Sequence, residues 1–304
     1  MEENKILNTL KNSYGIKSTK LELLRKGGCV SYVVWSENEK FLLKVIPPVF
    51  IDTAKQSLDI LLYLEQKEFP APYIVLTKDG LPYVEADKTF LVLFNFIDGH
   101  EPDEGEDIEK IGTLVGQLHC IMKDYTGSLP EHGKEFFIER YLNILNKKNY
   151  NKYKIKIFRE YGDILWKRVE NLPRGFCHGD LHRGNLLKTS SGKIYIFDFD
   201  TSCFAFPVYD IVTMCNSTNY FVFDESGYQK SKNTYESFLK GYTKLRPLTN
   251  VELKAFYDLI AIYHYQLQAT IIEINGLDCV NEKFLDKQLD WLIRWCEQCD
   301  KESN

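Results

Sequence analysis

Apolar and polar residues follow two different rhythms along the chain, and the changes between them mark out the elements. Residues 3–12 carry Ile6, Leu7 and Leu10 on one side at helical spacing, and Tyr14 and Gly15 end the run. From Leu21 the period is that of strands. Residues 21–25 lead into Gly27 and Gly28, residues 32–35 lead out, and a turn at 37–39 feeds a third apolar run at 41–46. An amphipathic helix is predicted over 53–66 from Leu58, Leu61 and Leu62, with a break between Phe69 and Pro72. Strands are predicted again at 73–77, 82–85 and 90–96. Helical spacing then takes over at 107–122, with Ile108, Ile111, Leu114, Val115 and Leu118 on the buried side, and continues at 136–146 and 155–171. The lysine-rich segment 146–156 between the last two reads as a mobile, solvated connection.

One short stretch of strand rhythm interrupts this helical half. Apolar residues alternate on both sides of Ser190, Ser191 and Gly192, which predicts a β-hairpin. A loop with His178, Gly179, Asp180, Leu181, His182 and Asn185 precedes it, and Asp198, Phe199 and Asp200 close it. The pairing sets Asp198 beside Asn185. Beyond Tyr228 the pattern is helical and rich in aromatics, which buried packing explains for most rings, leaving a few to form a substrate wall. The chain shows no internal repeat, low-complexity tract or second complete domain.

Composition narrows the function classes. A chain of 304 residues buries a sizeable core without covalent staples. Its net charge of −5 argues against a general nucleic-acid or acidic-membrane binder, so a site for any anionic ligand must be locally basic. No apolar run approaches membrane-spanning length, and the N-terminus lacks a basic start followed by an apolar core. A cytoplasmic protein with no nucleic-acid or membrane partner is the expectation; the pattern specifies no oligomeric state. Eight cysteines then read as reduced, mostly buried small residues. Cys296 and Cys299 form a CxxC, but it sits on an amphipathic helix with Trp291, Leu292 and Trp295 and has no second ligand pair.

The hairpin carries the chemistry. An Asp on a loop, an Asn shortly after it and a second Asp at the end of a following strand is the layout that kinase-type phosphoryl transfer requires. Asp180 would orient an acceptor hydroxyl and take its proton, while Asn185 and Asp198 would hold Mg against the phosphates of ATP. Lys44 lies within the apolar run FLLKVI. A lysine pointing inward there needs anionic partners to offset its desolvation, whereas one on an edge strand would face solvent.

The stretch HGDLHRGN followed by IFDFD resembles the aminoglycoside phosphotransferase and choline kinase superfamily, most strongly over residues 175–211. The resemblance implies an α+β, two-lobed protein-kinase-like fold, with a small antiparallel β-sheet N-lobe over residues 1–97 and a larger, mainly helical C-lobe over 98–304. It implies that Gly27, Gly28 and Ser31 form a turn over the nucleotide phosphates, although a Gly-Gly pair equally makes a plain hairpin turn. Lys44 would contact the α- and β-phosphates. Asp59 is the candidate for the acidic residue that orients this lysine, in place of the expected Glu, with a solvent-exposed Asp59 as the alternative. Phe94, Asn95, Phe96 and Ile97 would form the lobe crossing whose backbone binds adenine. His119, in a Leu-His signature, and His178 would support the catalytic loop, and Asp210 would accept hydrogen bonds from it. Asp200 is either a further metal-shell carboxylate or a turn residue.

The implied activity is ATP- and Mg-dependent transfer of the γ-phosphoryl group to a hydroxyl of a small molecule, aminoglycoside-like or an amino alcohol. A compact protein Ser/Thr kinase is an alternative, set against the lack of a long activation segment. A nucleotide-binding module without kinase activity is another, set against the intact Asp180, Asn185 and Asp198. The acidic stretch 101–109 is either a solvated loop leading into a helix N-terminus or an attractor for a cationic acceptor.

Overall fold

The computed structural model describes residues 2–37 and 39–302. In chain order the elements are α1 (Glu3–Thr9), β1 (Lys20–Lys26), β2 (Val30–Trp35), β3 (Lys40–Ile46), α2 (Ile51–Gln66), β4 (Val84–Ala86), β5 (Thr89–Asn95), α3 (Ile108–Met122), α4 (Arg140–Lys147), α5 (Lys152–Val169), β6 (Gly175–Cys177), β7 (Leu186–Lys188), β8 (Ile194–Ile196), β9 (Cys203–Ala205), α6 (Pro207–Cys215), α7 (Ser226–Tyr242), α8 (Asn250–Asn275) and α9 (Glu282–Glu302). The expected turn at 37–39 includes Asn38, which lies outside the described residues.

The chain divides into two compact units. One comprises the N-terminal chain through Pro102 with Tyr125–Leu129 and Arg183–Thr201; the other comprises Asp103–Asp124, Pro130–His182 and the chain from Ser202 onward. This division differs from a single cut after residue 97, and backbone pairing explains why. His100 and Lys188 exchange hydrogen bonds of 3.0 and 2.7 Å, and Ile196 N–H donates to Pro70 O at 3.0 Å, which ties the hairpin to the first unit.

The first unit is built on a five-stranded sheet in the order β1-β2-β3-β5-β4, with antiparallel pairing throughout. Strand alternation sorts its residues. Val34, Leu43, Val45, Leu91 and Leu93 pack under Ile6 of α1 and Leu10 of the π-helical turn that follows it. The opposite parity carries Lys44, which pairs in register with Ser31 on β2 and Val92 on β5. Residues 73–77, expected as a strand, join β5 through a single bridge between Ile74 and Phe94. Pro72 has no N–H to extend the pairing, and a turn closed by Thr77 N–H to Leu81 O at 2.8 Å ends it on the other side.

Helices dominate the second unit. α3 and α7 touch backbone to backbone because glycines line the contact: a Cβ on Gly112 would lie 2.1 Å from Phe238 O, and one on Gly241 would lie 1.9 Å from Glu109 O. The long α8 starts at a capping box of Thr249 and Glu252 and packs against α4, α5, α6 and α9. The lysine-rich segment 146–156 is not the expected mobile link. Asn151 caps α5 by accepting from the N–H groups of Tyr153 and Lys154, and the Tyr150 hydroxyl and the Lys154 ammonium bind Asp286 at 2.5 and 2.6 Å. Apolar periodicity begins only at Ile155 and carries no trace of the capped first turn. On α9, burial pushes the Cys296 thiol up to about 12 and raises that of Cys299 as well. Among the described residues, no group of three or more His, Cys, Asp or Glu side chains is placed to hold a metal ion.

Candidate active site

In the first unit the lysine of β3 meets the end of the hairpin. Lys44 Nζ lies 2.5 Å from Asp200 Oδ2 and 3.3 Å from Asp198 Oδ1. Burial by itself would lower the ammonium pKa, but Asp200 and then Asp198 outweigh it, and the net shift is upward. The inward reading of Lys44 therefore holds, with a different anionic partner than expected. Asp59 is exposed on α2 and does not orient the lysine; Asp200 does. A polar residue on a helix can be assigned a partner only when its direction is known, and α2 turns Asp59 outward.

Asn185 is buried in a 3-10 turn (Arg183–Asn185), and its carbonyl accepts the N–H of Phe197 at 3.1 Å. The hairpin thus sets Asn185 next to the residue preceding Asp198. Asp198 itself has φ of 65°, a left-handed conformation that is strained for a residue with a side chain. The Gly27-Gly28 turn closes with Gly27 N–H to Cys29 O at 3.1 Å, and a Cβ on Gly28 would come within 3.0 Å of the Phe50 ring. The Cys29 thiol is raised by burial, lowered by Lys44, and raised again by Asp200 and Asp198. The turn therefore lies within electrostatic reach of all three charges. Beyond β5, Phe94 is buried, Asn95 accepts the N–H of Tyr73 through Oδ1 at 2.5 Å, and Phe96 and Ile97 are half-buried. A recess of about 410 Å³ opens here, lined by Glu39, Lys40, Phe41, Asn95, Phe96 and Asp98.

In the second unit, the loop carrying Asp180 hangs from one carboxylate. Asp210 is fully buried and accepts the N–H of His178 at 2.6 Å on Oδ2 and that of Gly179 at 2.9 Å on Oδ1. His119 Nε2 donates to Asp210 Oδ2 at 3.0 Å. These are the supporting roles expected of His119 and Asp210. The Asp180 carboxylate is half-exposed, with His182 Nε2 at 3.6 Å. Burial and then the charge of Asp180 push the hydroxyl of Tyr263, from α8, up to about 12. Its ring lies 5.9 Å from that of Tyr209 and 5.2 Å from that of Tyr220. Sequence pattern marks helix α8 as aromatic but offers no signal that Tyr263, rather than its neighbours on that helix, lies within electrostatic reach of Asp180.

The acidic stretch is largely engaged within each unit. Glu101 pairs with Arg183 at 3.0 Å in the first. In the second, Asp103 accepts from Gly105 and Glu106, buried Asp107 accepts from Asp103 N–H, and Glu109 pairs with Lys244 at 2.7 Å.

Solved structures share this fold. An amicoumacin kinase determined with AMP-PNP and Ca²⁺ superposes with a TM-score of 0.76 at 18% identity, covering 99% of this chain and 94% of that one. A microcompartment-associated aminopropanol kinase gives 0.75 at 20% identity over 99% and 97% of the two chains. The fold is therefore two-lobed and protein-kinase-like. Among sequence relatives, an uncharacterised protein of Deinococcus radiodurans is 29% identical over 42% of this chain, an alignment that spans only 37% of that relative. A homoserine kinase of Bartonella tribocorum is 25% identical over 71% of this chain and 72% of its own. Residues 25–248 match the profile of the phosphotransferase enzyme family, and with well over half of its length matched the chain belongs to that family.

Proposed function

We propose that this protein transfers the γ-phosphoryl group of ATP to a hydroxyl of a small molecule with the help of Mg²⁺. The observation that carries the reading is the meeting of Lys44 with Asp198 and Asp200, beside an Asn185 tied to the same hairpin. A carboxylate and an amide offer hard oxygen donors suited to Mg²⁺, and the ammonium already held against two carboxylates marks their affinity for a cation. Asn185 and Asp198 would hold Mg²⁺, which would supply positive charge to offset that of the phosphates and the group in transfer.

The chain's own residues do the rest. Lys44 binds nucleotide phosphates, the turn of Gly27, Gly28 and Ser31 covers them, and the backbone at Phe94, Asn95, Phe96 and Ile97 takes adenine in the adjoining recess. Asp180 orients the acceptor hydroxyl and accepts its proton late in a loose transition state. The acceptor we infer is compact and bears an amine as well as the hydroxyl. Tyr263, within electrostatic reach of Asp180, supports this, as do homoserine kinases and an aminopropanol kinase among the relatives and neighbours. A polycationic acceptor is less supported because the carboxylates of Glu101, Asp103, Asp107 and Glu109 are spent on internal partners. The eight free thiols and the use of ATP suit a reducing, cytoplasmic setting.

A transfer assay with ATP and Mg²⁺ against homoserine, ethanolamine, 1-amino-2-propanol, choline, methylthioribose and aminoglycosides tests the proposal. Turnover of at least one acceptor, abolished by chelation, is the expected result. Nucleotide binding without transfer to any of them would point to a non-catalytic module instead.

A further inference from the structure

The hydrogen bonds that support the Asp180 loop do not stop at His119. Tyr242, at the end of α7, places its hydroxyl 2.7 Å from His119 Nδ1. Arg246 NH1 donates to the same hydroxyl at 3.1 Å, and Arg246 NH2 donates to buried Glu252 at 2.7 Å. Glu252 is fixed in turn, because its other oxygen accepts from the backbone N–H and the hydroxyl of Thr249 at 2.9 and 3.0 Å. The glycine contact makes this reach possible: a Cβ on Gly116 would lie 2.9 Å from Tyr242 O, so α7 approaches α3 at the level of Tyr242.

Donor accounting gives the chain a direction. The Asp210 carboxylate only accepts, so His119 Nε2 carries a proton. Arg246 only donates, so it occupies a lone pair of the Tyr242 oxygen and leaves the hydroxyl proton to point at His119 Nδ1. His119 is thereby held as the Nε2–H tautomer, the one that can donate to Asp210 while Asp210 receives His178 and Gly179.

We propose that Tyr242 and Arg246 are positioning residues for the Asp180 loop, acting through the hydrogen bond that fixes the His119 ring and, through that ring, the orientation of Asp210. The kinetic consequence rests on the phosphotransferase reading; the consequence for the ring does not. In Tyr242→Phe the donor to Nδ1 is lost, and in Arg246→Met the hydroxyl is free to turn away. Both variants are expected to lower kcat about tenfold with the nucleotide KM within about twofold, since a displaced acceptor base slows chemistry without touching nucleotide binding. Arg246→Lys, which keeps a donor, is expected to restore kcat.

Two readouts need no activity. The ¹⁵N shift of His119 Nδ1 should carry the signature of a hydrogen-bonded acceptor in the parent and lose it in Tyr242→Phe and Arg246→Met, and the amides of His178 and Gly179 should exchange faster in both variants. Amides of His178 and Gly179 that stay as protected in Tyr242→Phe as in the parent overturn the proposal. So does a kcat equal to that of the parent. If the parent transfers no phosphate to any acceptor, the phosphotransferase reading fails and the ring and amide measurements alone decide the relay.

Discussion

Lys44 holds its ammonium 2.5 Å from Asp200, a residue 156 positions further along the chain. The carboxylate that fixes the lysine thus comes from the segment that also carries Asp198, and not from helix α2. Loss of the lysine leaves two carboxylates facing each other without their cation. Lys44→Met is expected to weaken ATP-analogue binding by roughly tenfold or more, and Asp200→Asn to weaken it less, because Asp198 still faces the ammonium. Calorimetric titration of the analogue with Mg²⁺ measures both; an Asp200→Asn protein that binds like the parent would remove Asp200 from this role.

Asp180 and Asp198 should fail in different ways. Asp180→Asn keeps shape and should spare nucleotide binding while lowering kcat by about a hundredfold or more, as for a positioned general base. Asp198→Ala removes the carboxylate proposed to hold the metal and should weaken nucleotide engagement itself. Steady-state kinetics alongside direct binding separate the two; normal turnover by Asp180→Asn would exclude this carboxylate from the chemistry.

Much of this site is legible in the sequence, for a physical reason. Strand alternation around Ser190 to Gly192 within a helical half predicts a hairpin, and hairpin pairing by itself brings Asn185 next to the segment of Asp198. The roles of His119 and Asp210 follow a spacing that the family resemblance carries. The partner of Lys44 is not legible, since helical periodicity separates buried from exposed positions but does not name which distant side chain a buried cation meets. Tyr263 and Tyr242 are hidden for the same reason: both are aromatics among many at helical spacing, and only the packing of α7 and α8 decides which of them face the loop. The cap at Asn151, by contrast, is a local signal that apolar periodicity overlooks.

The glycine contact between α3 and α7 gives a stability prediction with opposing terms. Alanine favours a helix interior over glycine by up to about 1 kcal/mol. At Gly241, however, the added Cβ would lie 1.9 Å from Glu109 O and 2.7 Å from Thr113 N, both backbone atoms that cannot turn aside. Gly241→Ala is expected to destabilise the protein by roughly 1–3 kcal/mol, with overpacking outweighing propensity. Urea unfolding measures the difference; a stabilised variant would show that the two helices separate freely.

His264 supplies a pH dependence whose sign is set by burial. The ring is fully buried and stacks on Trp291 at 4.2 Å. Burial drives its pKa down from 6.5 to about 3, opposed in part by Gln288. Between those two values the unfolded chain binds a proton that the native ring refuses, so stability present above pH 6.5 is lost as pH falls towards 3. The slope from this group is at most about 1.4 kcal/mol per pH unit. Unfolding curves of the parent and His264→Phe from pH 7 to pH 5 should diverge, the parent losing stability more steeply; parallel curves would mean that the ring titrates normally.

Acceptor recognition follows from where the acidic side chains are spent. A polycationic acceptor read by the 101–109 stretch would lose affinity as salt screens it, over a Debye length of ~8 Å at physiological ionic strength. Asp103, however, receives two N–H groups of its own loop, Glu101 faces Arg183, and Glu109 faces Lys244. Neutralising Asp103 should therefore lower thermal stability more than it raises the acceptor KM. Tyr263, in contrast, lies within electrostatic reach of Asp180, and in the proposed reaction its ring would offer apolar and cation-attracting surface to a small ammonium. Tyr263→Leu is expected to raise the acceptor KM by roughly threefold to tenfold, given the ~0.5–2 kcal/mol typical of such contacts, with the ATP KM little changed. The measurement is acceptor kinetics for the parent, Tyr263→Leu, Glu101→Gln, Asp103→Asn and Glu104→Gln at low and physiological salt. A steep salt dependence shared by the three charge-neutralised variants, with Tyr263→Leu silent, would return recognition to the acidic stretch and favour a polycation.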